Sequence, residues 1–294
     1  MPEYLKKSSK AKNYINIYIV SSVKGGCGKS SIAFDLAYKK PDSAIVDLDV
    51  LGSTWALIAK QATPKYLTNI TSTSDIDETF FWREEINENT VEMIMNETKQ
   101  SSKQYYYNHL KNGNVPEIEH GIFKNNVIRI IEYLINKGIK NVILDMPPSL
   151  DMYSGPIFDF LCKNNTELNI GSKKLRLNFI LASPITVVGV RSIYDWICEY
   201  FKDSKNMSHI TDINQINVDV YFVDLSDSLN DPSSTLKTDL SNAIKSQIDK
   251  LDMAGFNMHE EVKNHIVQYS KCWNRIANEE ISINSFEGFS IDDI

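Results

Sequence analysis

The sequence predicts an α/β fold, a mostly parallel, twisted sheet with helices on both faces. Three observations carry this reading. Short runs of β-branched and apolar residues recur at 15–20, 43–47, 141–144, 177–182 and 218–223, the composition of buried strands. Segments of helical spacing stand among them, most plainly 29–39, 122–137 and 187–202. A glycine-rich turn at 24–28 joins the first strand to the first helix. Strands alternating with helices favour a parallel sheet, because each crossover needs a helix to return the chain. At 294 residues the chain is expected to form one large domain, 1–294.

Each element has its own signal. Residues 1–12 are polar and lysine-rich and are expected to be a flexible tail. The run Ile-Asn-Ile-Tyr-Ile-Val at 15–20 reads as a strand. In 29–39, Ile32, Ala33, Leu36 and Ala37 share one helical face, and Pro41 and Asp42 stop the helix. Ser43 to Asp47 reads as a buried strand, and 54–62 as the start of another helix. The stretch 63–121 is rich in Asn, Thr, Ser and Glu but carries Phe80, Phe81, Trp82 and Tyr105 to Tyr107. Those aromatics argue for a folded insertion, expected to hold two or three helices.

Beyond it, Val127, Ile128, Ile131, Leu134 and Ile135 make 122–137 amphipathic, with Gly138 at its stop. The strand at 141–144 runs into Asp145-Met146-Pro147-Pro148, and the strand at 177–182 into Ser183-Pro184. After the helix at 187–202 and the strand at 218–223, residues 235–251 and 258–278 are expected to be helical. Residues 281–294 are expected to be a loose C-terminal tail.

Composition narrows the function classes. With 42% hydrophobic and 23% charged residues, the chain has enough apolar side chains to bury a real core. A net charge of -7 disfavours whole-surface attraction to nucleic acid or anionic lipid, while leaving room for a local basic patch. Cys27, Cys162, Cys198 and Cys272 form no C-x-x-C pair, so no zinc or redox motif is indicated. The polar start lacks the apolar core of a signal peptide, and no apolar run reaches the ~20 residues of a membrane span. The expected location is therefore cytoplasmic, with reduced thiols.

The chemistry concentrates at Lys24-Gly25-Gly26-Cys27-Gly28-Lys29-Ser30-Ser31. Lying between a strand and a helix, this segment has the context of a phosphate-binding P-loop. Glycines let the backbone curl with its N–H groups pointing at phosphate oxygens. The helix starting near Lys29 adds the partial positive charge of its N-terminus. Lys29 can reach the β- and γ-phosphates, and the Ser30 hydroxyl is the expected Mg²⁺ ligand. Two predicted strands, moreover, end in aspartate. One gives Asp47-Leu48-Asp49 and the other Asp145, at the carboxyl edge where open parallel sheets do their ligand chemistry.

Ser22 and Val23 precede Lys24-Gly25-Gly26, where an ordinary Walker A loop would begin with glycine. This resembles the deviant Walker A motif of the ParA/MinD family, K-G-G-x-G-K-[ST]. The resemblance covers roughly 15–57, 125–200 and, more thinly, 215–225. It implies ATP and Mg²⁺ as cofactors and a homodimer in the ATP state. Lys24 then crosses to the phosphates of the other subunit, the alternative being a solvated loop lysine. Asp47-Leu48-Asp49 is similar to the family's D-x-D switch segment. By that match Asp49 positions or activates the attacking water, and Asp47 supports the magnesium shell. The family's Pro-Gln is Val50-Leu51 here, a departure within the switch segment; Gly52 and Ser53 keep the pattern. Trp55 resembles a tryptophan of the small partition ATPases. Val142 to Pro148 matches the family's Walker B segment, h-h-h-D-x-P-P, which makes Asp145 the residue that holds Mg²⁺. Relatives often carry Asn-Lys at the end of the strand at 218–223, where this chain has Val223-Asp224. Asp224 is the candidate base-reading residue, with a surface aspartate as the equal alternative.

Within the family the sequence is most similar to the ParA-like partition ATPases. The implied function is an ATP-driven switch for DNA or plasmid partition or cargo positioning, with a partner protein that stimulates slow hydrolysis. The acidic ending Phe289 to Ile294 disfavours a membrane-binding helix, and paired cysteines of the metal-cluster carriers are missing. Non-specific DNA is the partner that charge makes difficult. From Leu240 to Ile294 there are five Lys/Arg against nine Asp/Glu. Binding DNA would require those few lysines to cluster when subunits pair. Two alternatives stay open: an ATP-gated assembly factor that binds no DNA, and a metabolic ATP-dependent ligase or kinase on the same scaffold.

Overall fold

The computed structural model describes residues 14–49, 75–86, 89–96, 117–149, 154–163, 167–184, 186–202, 216–224 and 262–268. It also describes positions 55, 67, 70, 71, 73, 238, 239, 242, 243, 245–247 and 249. The expectations for 1–12, 281–294, Val50 to Ser53 and Tyr105 to Tyr107 lie outside these residues.

Eight strands form one sheet: β1 (Tyr14–Ser22), β2 (Ser43–Asp47), β3 (Trp82–Ile86), β4 (Asn89–Ile94), β5 (Asn141–Pro148), β6 (Lys174–Pro184), β7 (Ile216–Asp224) and β8 (Val262–Gln268). Their spatial order is β3-β4-β2-β5-β1-β6-β7-β8. Every neighbouring pair is parallel except β3 and β4. Helices α1 (Lys29–Lys39), α2 (Glu117–Lys137), α3 (Ser154–Lys163) and α4 (Val187–Lys202) accompany them, and the described positions 55, 238, 239, 242, 243, 245–247 and 249 are also helical.

Burial alternates along the central strands because side chains alternate across a sheet. Ile15, Ile17 and Ile19 of β1, Val142 and Leu144 of β5, and Leu177, Phe179 and Leu181 of β6 join one core. Tyr18 and Val20, Ile143, and Ile180 and Ala182 join the other. Ile32, Ala33, Leu36 and Ala37 place α1 on the second face. Val127, Ile130, Ile131, Leu134 and Ile135 place α2 on the first, together with Ile157 and Leu161 of α3 and Val190, Ile193 and Ile197 of α4. The sheet is thus covered on both sides, as expected for parallel strands.

Two stretches differ from the expectation of helices. Within 63–121, the described residues give a short 3₁₀ turn at Glu78–Phe80, the pair β3 and β4, and the start of α2. The β3–β4 register pairs Trp82 with Met93 and Ile86 with Asn89, and β4 extends the parallel sheet through β2. The strand pattern of β4 is disguised by Glu92, which is buried at a position where an apolar residue would signal a strand. Arg83 Nε and Lys137 Nζ meet Glu92 Oε1 at 3.1 and 2.6 Å, and this pairing makes its burial tolerable. Within 258–278, Val262–Gln268 is strand β8, paired in parallel with β7, and not a helix. Helix α3 carries no expectation from the sequence, since its Pro156 and Gly155 obscure the helical period.

Gly189 is required by space. A Cβ there would overlap the Pro184 carbonyl oxygen and stand 2.6 Å from Ser183 Oγ. This close approach lets α4 start tight against the exit of β6, with Gly189 N–H donating to Thr186 Oγ1 at 2.9 Å. Gly189→Ala is expected to destabilise the fold by about 1–3 kcal/mol, the usual cost of overpacking. A thermal melt unchanged by the substitution would contradict this.

Candidate functional site

The site is built where β1, β2 and β5 end side by side. Strand β1 leaves the sheet at Ser22, and residues 23–28 turn into α1, with Gly26 and Gly28 at φ 75° and 77°. These left-handed conformations are why glycines stand there. Gly28 is the N-cap of α1 and no side chain caps the helix. Its first N–H groups are thereby left to a ligand, and an anion is the natural one. The Gly28 carbonyl accepts from Ile32 N–H at 2.9 Å, which fixes the first helical turn. Lys29 is buried at 8% exposure, Ser30 is half-buried, Ser31 is buried and Lys24 is exposed. Cys27 is also buried, and burial pushes its thiol pKa up, with Lys29 and Lys24 opposing. It is therefore a packing residue at the base of the loop rather than a reactive thiol.

The aspartates arrive by strand parity. Residues 44, 46 and 48 and residues 142, 144 and 146 face the first core. Asp47 and Asp145, one residue out of phase, therefore turn toward the α1 face. The register sets Asp47 beside Asp145, and both are at most 1% exposed. Between Val20 and Ser22 of β1, strand β5 takes one extra residue, so Val20 pairs with Asp145 and Ser22 with Pro148. Such bulges re-aim side chains at strand ends. The exit of β5 is then tied to β1: Ser149, at φ 62°, donates from its N–H to the Ser22 carbonyl at 2.7 Å.

The turn after β2 is held three ways. Leu48 N–H donates to the Asp145 carbonyl at 2.9 Å. Asp49 N–H donates to Asp47 Oδ1 at 3.1 Å. Asn96 Nδ2, fully buried just past the end of β4, donates to the Asp47 carbonyl at 2.6 Å. Asp49 is thereby set, half-buried, beyond the strand and close enough to Asp145 to raise its pKa. Burial raises that pKa most; Lys29, the Ser30 hydroxyl and the Trp55 indole pull it back.

Of the residues singled out in the sequence, Lys29, Ser30, Asp47, Asp49 and Asp145 converge here. Gly25, Gly26, Cys27, Gly28 and Ser31 form the loop and first turn around them. Asp224 ends β7, on the same sheet edge but two strands from β1. Two contacts were not foreseen. Trp55 Nε1–H donates to Asp145 Oδ2 at 2.8 Å, across 90 residues of sequence, and Asn96 anchors Asp47 as described.

The residues fit a magnesium ion with nucleotide. Asp145 Oδ1 is buried and has no hydrogen-bond partner, and Asp47 and Ser30 lie beside it. No group of three or more His, Cys, Asp or Glu able to hold a metal occurs among the described residues. Mg²⁺ takes one or two carboxylates and completes its shell with phosphates and water, and Asp145 and Asp47 are the paired carboxylates at the strand ends.

The structure is similar to that of the cell division ATPase MinD of Pyrococcus furiosus, with a TM-score of 0.57 over 94% of this chain and 92% of that one, at 11% identity. It is also similar to the septum site-determining protein MinD of Pyrococcus horikoshii complexed with Mg-ADP, with a TM-score of 0.53, 11% identity, and coverage of 92% and 87%. A Cyanothece McdA variant in complex with ATP gives a TM-score of 0.51, 11% identity, and coverage of 93% and 88%. This chain has the fold of those proteins. No protein-family model matches it, and no curated protein matches it in sequence. The glycine-rich 24–31 segment and both acidic strand ends lie at the carboxyl edge of the parallel strands, where open α/β sheets bind ligands.

Burial of Asp145 makes a prediction with a definite sign. Its folded pKa lies above the ordinary value, so the folded protein holds a proton that the unfolded chain has lost. Without ligand, stability therefore falls as pH rises above about 4, the unfolded carboxyl range, and until the folded group has ionised. Asp145→Asn is expected to flatten that decline and to melt higher than wild type at neutral pH. It should also lose stabilisation by Mg²⁺ with ADP. Melting curves taken from about pH 4 upward, with and without Mg²⁺–ADP, would check both; a parallel decline in the variant would contradict the assignment.

Proposed function

We propose that the chain is a ParA-like ATPase whose ATP–Mg²⁺ state is a homodimer and whose slow hydrolysis switches that state off. The observation that carries the reading is the junction of the 24–31 loop with three carboxylates on adjoining strand ends. The loop N–H groups and Lys29 bind the β- and γ-phosphates. Ser30 and Asp145 are the residues that would hold Mg²⁺, with Asp47 behind them; a bound ion would supply positive charge against the phosphates. Asp49, carried on its pinned turn, would accept a proton of the attacking water as the water oxygen bonds to the γ-phosphorus and the bond from that phosphorus to the β–γ bridging oxygen breaks, with ADP as the leaving group. Lys24, which is exposed, is the residue proposed to reach the phosphates of a neighbouring subunit. Asp224, at the carboxyl end of β7, is the candidate reader of the base.

Dimerisation joins nucleotide state to partner choice, because hydrolysis removes the phosphate that both subunits hold. The MinD and McdA similarities support the ATPase reading through the fold. DNA or plasmid partition, or positioning of another cargo, is the cellular role proposed, with a partner protein that accelerates hydrolysis. A net charge of -7 favours one competing reading, an ATP-gated assembly factor that binds protein cargo and no DNA. Among the described residues no helix is long and apolar enough to cross a membrane.

The test is light scattering on a sizing column with the hydrolysis-blocked Asp49→Ala protein, in ADP and in ATP–Mg²⁺, followed by DNA retention at two salt concentrations. A dimer in ATP alone with salt-sensitive DNA retention is the expected result. An ATP dimer that ignores DNA selects the protein-cargo switch. A monomer throughout removes Lys24 from a shared site and brings forward a metabolic ATP-dependent enzyme.

A further inference from the structure

We infer that Trp55 is a positioning residue that sets which oxygen of Asp145 faces the nucleotide-bound metal; this rests on the Mg²⁺–ATP reading above. The two oxygens of Asp145 are unequal. Oδ2 accepts the Trp55 indole N–H at 2.8 Å, in a fully buried hydrogen bond. Oδ1 is buried and has no hydrogen-bond partner. A carboxylate can rotate and exchange its oxygens unless one is held. An indole N–H is a donor only, so it selects one oxygen and cannot turn over to accept. The other oxygen is then left for a cation.

The indole is itself fixed. Trp55 is 1% exposed and packs into the core under α1. Its ring stacks on Phe34 of α1, with centroids 6.1 Å apart and planes inclined by 29°. Phe34 lies on the helix that begins at Lys29, so the tryptophan leans on the same helix whose N-terminus faces the phosphates. Trp55 also stands six positions beyond Asp49 in the chain. One side chain thus joins the segment carrying the proposed water-orienting carboxylate to the carboxylate proposed for the metal. Partners that hold a metal-binding group from behind set its direction, and losing one weakens metal binding about 10–100-fold.

Trp55→Phe is the discriminating substitution. It keeps an aromatic ring against Phe34 and removes the N–H. Binding of a fluorescent ADP analogue to the full chain is measured first in EDTA and then across a Mg²⁺ titration. Wild type and Trp55→Phe are expected to bind alike in EDTA. The variant should need about tenfold more Mg²⁺ for the same gain in affinity. An unchanged Mg²⁺ requirement overturns the inference, as does a variant that loses affinity in EDTA and melts lower without any change in that requirement. If the wild type itself does not bind the analogue, the ATPase reading fails and this inference with it.

A second measurement needs no substitution. In wild-type protein carrying ¹⁵N-labelled tryptophan, the Trp55 indole resonance is identified by its contacts with the Phe34 ring. It should exchange slowly with D₂O and move when Mg²⁺ is added to the ADP-bound protein, and stay put when ADP is added in EDTA. An indole resonance indifferent to Mg²⁺ overturns the assignment even where Trp55→Phe fails to fold.

Discussion

Lys29→Ala is expected to abolish retention of ATP while leaving the protein folded. Lys29 is a buried ammonium, 8% exposed, at the first position of α1. Burying that charge without ligand opposes folding, so its removal has little stability to lose. It does remove the cation that draws down the pKa of Asp145 and that would meet the phosphates. A hydrogen bond to a charged group contributes about 1.5–3 kcal/mol. Losing two of them to the β- and γ-phosphates would weaken binding by about 10²–10⁴-fold. The α1 N-terminus alone should not compensate, since a helix end contributes roughly 0.3–2 kcal/mol. Equilibrium binding of ATP to wild type and variant, with a thermal melt of each, tests this. Wild-type affinity in a folded Lys29→Ala protein would remove the 24–31 loop from the site.

What the sequence made legible follows from how local each signal is. Residues 24–31 are contiguous, and their flanks, β1 and α1, are strong local patterns whose ends agree with the structure at Lys29 and Lys39. Strands β2 and β5 were legible because burial on both faces leaves continuous apolar runs ending in aspartate. The illegible parts depend on distant partners. Glu92 interrupts the apolar face of β4, and only Arg83 and Lys137, the latter 45 residues away, explain its burial. Strand β8 has polar residues Lys263, Asn264, His265 and Gln268 among its seven, and gains its strand character from pairing with β7. The Trp55–Asp145 bond spans 90 residues. The sequence offers a resemblance for Trp55, but only the structure shows where its N–H goes. Asn96 is hidden for the same reason: nothing near it in sequence says that its amide closes the turn at Asp47.

That turn gives the last prediction its clean form. Asp49→Ala is expected to keep ATP binding and the fold, and to cut hydrolysis by about 10²–10⁴-fold, the usual contribution of a positioned general base. The hydrogen bond that fixes residue 49 is made by its backbone N–H to Asp47 Oδ1, so alanine can make it equally well. Leu48 N–H and the Asn96 amide hold the rest of the turn and do not involve the Asp49 side chain. The substitution thus removes a carboxylate and leaves these three hydrogen bonds of the turn in place. Asp47 is different: its carboxylate accepts one of those bonds, and Asp47→Ala should disturb turn and catalysis together. For Asp49→Ala, bound ATP should persist and the dimeric state should accumulate, because the step that ends it is blocked. Phosphate release and ATP retention measured on the same protein separate the two effects. Equal rates of phosphate release in Asp49→Ala and wild type would take Asp49 out of the mechanism. Loss of ATP retention together with hydrolysis would instead make Asp49 a binding residue, and the water would need another partner at the ends of β2 and β5.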